Sequence, residues 1–236
     1  MNMDYTKIAT ETSLSNTVSA LTNHNFIPVV VESKEEALAK IIELIPNGVS
    51  VNNGASLTLE QVGLLEYLKK GEHGWNNLHE VILKESDPVK QGLLRKETTT
   101  SDYYLGSVHA ITETGELVIS SATGSQLPGL AYNAQNLVLV VGAQKIVPTL
   151  NDAFSRIETH IIPLEDARMK AAYGMGTLHA KNPYSSSGTS NDAAKGICDS
   201  CKRISRFLIS LHTKIATPNM WWFLYVKKFQ NFHKIW

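Results

Sequence analysis

The stretch VSVNNGASLTLEQVG, residues 49–63, decides how the chain is read. Val49 to Val51 is short and apolar, as a strand covered on both faces should be. Small or polar residues follow, namely Asn52, Asn53, Gly54, Ala55, Ser56 and Thr58, and then an amphipathic run with helical spacing from about Leu59 to Lys70. A strand that enters a helix through such a loop leaves first-turn N–H groups unpaired at the carboxyl edge of a sheet, where they suit a carboxylate or phosphate. Gly54 permits close backbone approach, Ser56 and Thr58 offer a cap and further donors, and Thr58 with Gln61 has the spacing of a capping box. An ordinary capped helix start uses the same residues. Neither GxxxxGK[ST] nor GxGxxG occurs there, so the loop is not a nucleotide fingerprint.

Working outward, the same alternation of strand and helix recurs. Tyr5 to Asn23 has helical spacing and the strand-like FIPVVV follows. Ser33 then caps a helix over Lys34 to Ile45, with Glu36 placed to reach back in a capping box, and Pro46-Asn47-Gly48 stops it. Leu78 to Leu83 and Asp87 to Glu97 read as helical pieces. Ser107 to Ile111 and Glu116 to Ser120 flank Thr112-Glu113-Thr114-Gly115, the pattern of a hairpin with glycine in its turn. Leu137 to Val141, LVLVV, is the most apolar strand, and helices over Thr149 to Ile157 and Pro163 to Tyr173 come after it. This order predicts an α/β fold, a mostly parallel sheet with helices on both faces and one β-hairpin.

Composition bounds the function. The 236 residues carry 43% apolar residues, enough for a buried core, and 22 basic residues balance 22 acidic ones. No positive field favours nucleic acid or a membrane surface, so the expected partner is a small anionic metabolite or another protein. The N-terminus lacks the blocks of a signal peptide and no run of eighteen apolar residues exists, which predicts a cytoplasmic protein. Cys198 and Cys201 have the spacing of half a zinc or redox site, without a second ligand pair; free thiols are the expectation, with no metal and no cofactor held by this chain.

Three separated blocks carry a resemblance: NGASLTLEQVG at 53–63, GSVHAITETGELVISSATGSQLP at 106–128 and VVGAQKIV at 140–147. Together, and in this order, they resemble the LUD-domain family of LutC/YkgG-like lactate-utilisation proteins, over roughly Tyr5 to Tyr173. The resemblance implies a fold related to the NagB/RpiA/CoA-transferase superfamily. It also implies a part in oxidising L-lactate, or a related 2-hydroxy acid, to pyruvate alongside iron–sulfur partner proteins; the alternative is a binding or regulatory module for a small carboxylate or phosphate. Any cluster would sit on a partner, because two cysteines fall short of the four thiolates such clusters use.

The resemblance carries over to Gly54, Ser56 and Thr58 in the first loop, Glu113 and Gly115 in the hairpin turn, Thr123, Gly124, Ser125 and Gln126 in the next loop, and Gln144 and Lys145 after LVLVV. Lys145 lies past the carboxyl end of a buried strand, where a cation can face an anion held by the first loop, or else pair on the surface. Glu113 is an acid or base candidate if buried and a solvated turn residue if not. His109, in a β-run, reads as a structural histidine. One domain over 1–236 is expected, with a well-matched core over 1–173, a flexible connection rich in Ser, Gly and Asn over 174–203, and divergent strands over 204–236. There Ile204 to Leu211 and Met220 to Val226 can complete the sheet, and the aromatic tail can form a self-association surface or reflect drift of the coding sequence.

Overall fold

The structure, a computed structural model, describes residues 3–121, 124–174 and 176, and the backbone of 221–226. Its main sheet has six strands, all parallel to their neighbours. They are β1 (Ile27–Val31), β2 (Ser50–Asn53), β3 (Asn76–Asn77), β4 (Tyr103–Gly106), β7 (Asn136–Gly142) and β9 (Trp221–Val226), in the order β1-β9-β7-β4-β2-β3. A smaller sheet has the order β6-β5-β8, with β5 (Ala110–Thr112) antiparallel to β6 (Leu117–Val118) and parallel to β8 (Ile146–Val147). The α/β expectation and the hairpin are therefore both present, with Gly115 at φ +90° in the turn.

Strand positions follow from residue chemistry. β1 contains Pro28, which has no N–H to give to a second neighbour, and it lies at the sheet edge. β7, apolar throughout, lies in the interior between β9 and β4, and its side chains alternate between two cores. Val138 and Val140 join Val51 and Leu105 on one face, under Ala37 and Ile41 of α2 (Lys34–Leu44), Leu59 of α3 (Leu57–Gln61) and Leu64 and Leu68 of α4 (Leu64–Lys70). Leu137, Leu139 and Val141 join Tyr104 on the other face. Leu14 and Leu21 of α1 (Glu11–Asn23) cover them, with Ile111, Leu117, Ile119 and Leu130 from the segment after β4.

Several sequence expectations need correction. The helix over Leu59 to Lys70 is two helices, because Gly63 at φ +84° breaks it. Ser56, not Thr58, caps α3, accepting from the Leu59 N–H at 3.4 Å, so Thr58 and Gln61 do not form a capping box. Ser33 caps α2 as expected, but the Glu36 carboxylate reaches one residue further back, to the Glu32 N–H at 2.8 Å. The first helix starts at Glu11, where Thr10 caps it, not near Tyr5. The β-run placed at Ser107 starts at Ala110, and β4, four residues earlier, went unread. Asp87 caps α6 (Pro88–Glu97), which follows α5 (Leu78–Lys84). The helix α7 (Leu150–Arg156), with Thr149 and Asp152 in a capping box, does not stop before Pro163. It continues through a π-helical turn, Ile157–Ile161, into α8 (Ile162–Tyr173), where the wider turn accommodates the N–H that proline lacks. Met220 to Val226 supplies β9, while Ile204 to Leu211 and most of the connection lie outside the described residues.

Candidate functional site

After β2 the chain packs on the α2 face through α3, whereas after β4 it packs on the α1 face. Two adjacent parallel strands whose exits leave to opposite faces open a crevice at their carboxyl ends, the ordinary binding place in open α/β sheets. Gly54, Ser107 and Lys145 sit just past the carboxyl ends of β2, β4 and β7, three strands that are neighbours in the sheet.

Lys145 is the centre of the polar arrangement. A 3-10 turn, Ala143–Lys145, follows β7 and swings the side chain toward α3. Its Nζ donates to Thr58 Oγ1 at 2.8 Å, Ser107 Oγ at 3.0 Å and the Val108 carbonyl at 2.9 Å. The Ser107 hydroxyl in turn donates to the Val140 carbonyl at 2.6 Å, which leaves its oxygen turned to the lysine. All three acceptors are neutral. Burial of the ammonium, with a smaller contribution from the Arg156 charge, pushes the lysine down to about 7.

Arg156, on α7, is 2% exposed and was not singled out in the sequence. Its Nε donates to the His109 carbonyl at 3.0 Å, and Nη1 to the Tyr5 carbonyl at 2.8 Å, with the guanidinium 5.4 Å from the Tyr5 ring centroid. His109 accepts from the Ser120 N–H through Nδ1 at 3.2 Å, as a structural histidine does, and burial beside Lys145 and Arg156 pushes it down to about 3. It is neutral. Among the described residues, carboxylates pair with lysines and arginines such as Lys40 with Glu43 and Arg168 with Glu165, and none pairs with Lys145 or Arg156. The surface ion-pair alternative for Lys145 is therefore not what the structure shows.

The remaining predicted residues divide. Thr58 lies against Lys145, and the Gly54 backbone lies against the Gln126 side chain: a Cβ built on Gly54 would meet Gln126 Oε1 at 3.1 Å. The Gly54 N–H is not open to an anion, since it continues the ladder to the Leu105 carbonyl at 3.2 Å. Gly124 adopts φ +73° in the turn before Gln126, and Ser125 is exposed. The Gln144 side chain folds back over Gly142, where a Cβ would clash with it. Thr123, Cys198 and Cys201 lie outside the described residues. Glu113 is half-buried and faces α1, where its carboxylate accepts from Ser13 Oγ and from Asn16 Nδ2 at 3.0 Å. Asn53, another residue the sequence did not single out, buries Oδ1 with no hydrogen-bond partner beside the loop.

A family model of the LUD domain matches residues 14–194. A crystal structure of a DUF162 family protein from Deinococcus radiodurans is 12% identical, covering 95% of this chain and 99% of that one, with a TM-score of 0.47. Ribose 5-phosphate isomerase A from Neisseria gonorrhoeae is 14% identical, covering 58% of this chain and 64% of that one, with a TM-score of 0.33. No curated protein matches the sequence. Among the described residues no helix is long and apolar enough to cross a membrane.

Proposed function

The chain belongs to the LUD-domain family, and from that premise we propose that it binds a small carboxylate, L-lactate or a related 2-hydroxy acid, as a subunit of a system that oxidises it to pyruvate. The observation that carries this reading is a half-buried lysine whose ammonium is held only by neutral oxygens, near a buried arginine, with no carboxylate among the described residues pairing with either. An anion entering the crevice supplies the missing counter-charge, and a bound carboxylate returns Lys145 to its charged form. Thr58 then gives up its place as acceptor and donates its own O–H to the ligand. The helix dipole contributes little, because α3 has five residues. Oxidation of the hydroxy acid releases two electrons and two protons, and the electrons go to iron–sulfur partner proteins. With two cysteines this chain does not fit a four-thiolate cluster, and no step here passes through one.

One observation favours a second reading, a binding module that senses the metabolite without turning it over. Glu113, the acid or base candidate, spends its carboxylate on α1. Thermal-shift titration with lactate, glycolate, pyruvate and sugar phosphates tests the shared site. Loss of a charge-assisted contact in Ser56→Ala with Lys145→Ala is expected to weaken carboxylate binding roughly 10- to 100-fold while the domain stays folded. Identical shifts in both proteins overturn the site.

A further inference from the structure

Tyr104 is held in a cradle of glycines. A Cβ on Gly129 would meet its ring at 2.4 Å and a Cβ on Gly106 at 3.3 Å, while a Cβ on Gly54 would meet its hydroxyl at 2.7 Å. The three glycines come from the ends of β2 and β4 and from the π-helical turn Gly129–Asn133. Two of them make room for the ring, and the third leaves the Oη facing the backbone at the mouth of the crevice. Tyr104 itself is 3% exposed, and no hydrogen bond of its Oη is seen among the described residues, although the hydroxyl is not sealed from solvent as Asn53 Oδ1 is. A cradle that buries the ring and leaves the hydroxyl open at a ligand-binding edge, with no protein partner, places that hydroxyl to bond a ligand.

Gln126 supplies the complementary group. Its Nε2 donates to the Ser120 carbonyl at 3.4 Å, which turns Oε1 toward Gly54, and no donor for Oε1 is seen among the described residues. Burial raises the Tyr104 phenol above its ordinary range, so it stays a neutral donor at every physiological pH. The crevice mouth thus offers one donor, Tyr104 Oη, and one acceptor, Gln126 Oε1, both beside the point where a Gly54 side chain would stand. An alcohol satisfies both at once, accepting from the phenol and donating to the amide oxygen. A ketone satisfies only the donor and leaves the amide oxygen without a partner on the ligand.

We propose that Tyr104 and Gln126 read the hydroxyl of the ligand whose anionic end faces Lys145, so that the site selects hydroxylated acids over their 2-oxo counterparts. This rests on the proposed function. A site built to bond a hydroxyl discriminates strongly against the analogue without one, because its own polar groups are left unpaired.

Isothermal titration of the full chain with L-lactate, pyruvate and propionate, in the wild type and in Tyr104→Phe, Gln126→Met and Lys145→Met, tests it. Wild type is expected to bind lactate at least about tenfold more tightly than pyruvate or propionate, and Tyr104→Phe, which keeps the ring in its cradle, to weaken lactate and pyruvate but not propionate. Gln126→Met removes the acceptor that only the alcohol uses and is expected to lose about tenfold for lactate alone, and circular dichroism checks that each variant is folded. Equal affinity of the wild type for the three acids, or an unchanged lactate-over-pyruvate preference in Gln126→Met, overturns the hydroxyl reading while leaving the anion site in place if Lys145→Met still weakens all three. No binding of any of the acids by the wild type overturns both.

Discussion

The hairpin turn around Glu113 and the crevice around Lys145 are both rich in charged and hydroxylated residues, and they resolve in opposite ways. At the turn, the carboxylate finds Ser13 and Asn16 on α1, so the charge is consumed in fastening the hairpin to the helix. At the crevice, the ammonium finds two hydroxyls and a carbonyl, and the nearby guanidinium finds two carbonyls; the positive charge is solvated by dipoles but not neutralised. A charge with donors of its own serves the fold. Both charges meet only neutral groups, and what sets the ammonium apart is its desolvation at the carboxyl edge of the sheet, where a counter-charge can enter.

The largest expected effect tests whether that unneutralised charge is real. The folded chain holds Lys145 near 7 while the unfolded chain holds it near 10.5, so between those values the unfolded state carries a proton that the folded state lacks. Stability contributed by this group therefore rises as pH rises from 7 toward 10.5, by an amount on the order of 4 kcal/mol over three pH units. Below 7 both states are charged and the slope vanishes. Urea unfolding of wild type and Lys145→Met across this window should show the slope in the first and not in the second; parallel curves would mean that water or an anion already solvates the ammonium.

Arg156 joins the two regions, since it bonds the carbonyl of His109 just before β5 and that of Tyr5 before α1. Arg156→Met keeps the stem but leaves two carbonyls without their donors, at a cost of about 2–5 kcal/mol in unfolding free energy. A loss below about 1 kcal/mol would show that the guanidinium is there for the ligand and not for the fold.

These groups differ in how far the sequence announces them, and the reason is the range of the interactions. Capping by Ser33 is local and is read from Ser33 and Glu36, three positions apart, whereas Asp87 and Thr149, which the sequence places inside their helices, cap them through equally local bonds. LVLVV shows its burial by composition alone, and Lys145 could be placed because it follows that strand. Tyr104 gave no such signal: its environment is written at positions 54, 106 and 129, and a glycine makes room for a ring only once the fold has brought them together. Strand β4 was missed for a related reason, because Tyr-Tyr-Leu-Gly has no run of β-branched residues and earns its place by pairing with β2 and β7. Arg156 reads as one more charge on an amphipathic helix, and its carbonyl partners are 47 and 151 residues away. The helix over Leu59 to Lys70 failed at Gly63 because helical spacing persists across a glycine whose φ no pattern reveals.

At the hairpin, Glu113→Gln keeps the length of the side chain and removes its charge. Both contacts to α1 survive as neutral bonds, since the amide nitrogen donates to Ser13 Oγ and the amide oxygen accepts from Asn16; loss of the charge assistance is expected to cost about 1 kcal/mol of stability, with lactate affinity unchanged. Weakened binding without loss of stability would move Glu113 from the fold to the site and erase the contrast between the two regions.

The smallest effect belongs to the loop where the strand and helix meet. Ser56 caps α3 through a 3.4 Å bond to the Leu59 N–H, a long contact on a helix of five residues. Ser56→Ala should therefore cost no more than about 0.5 kcal/mol, the low end of what such a cap contributes. The same change leaves Lys145 and its three acceptors in place, so the single variant should retain most of the affinity that the double variant with Lys145→Ala loses. If Ser56→Ala alone removes binding, the anion is held by the loop and its amides, and the buried cation is a bystander. The distinction is physical: a dipolar loop holds an anion with little dependence on pH near neutrality, whereas a lysine near 7 must take up a proton as the anion arrives, so affinity governed by Lys145 falls as pH rises through 7.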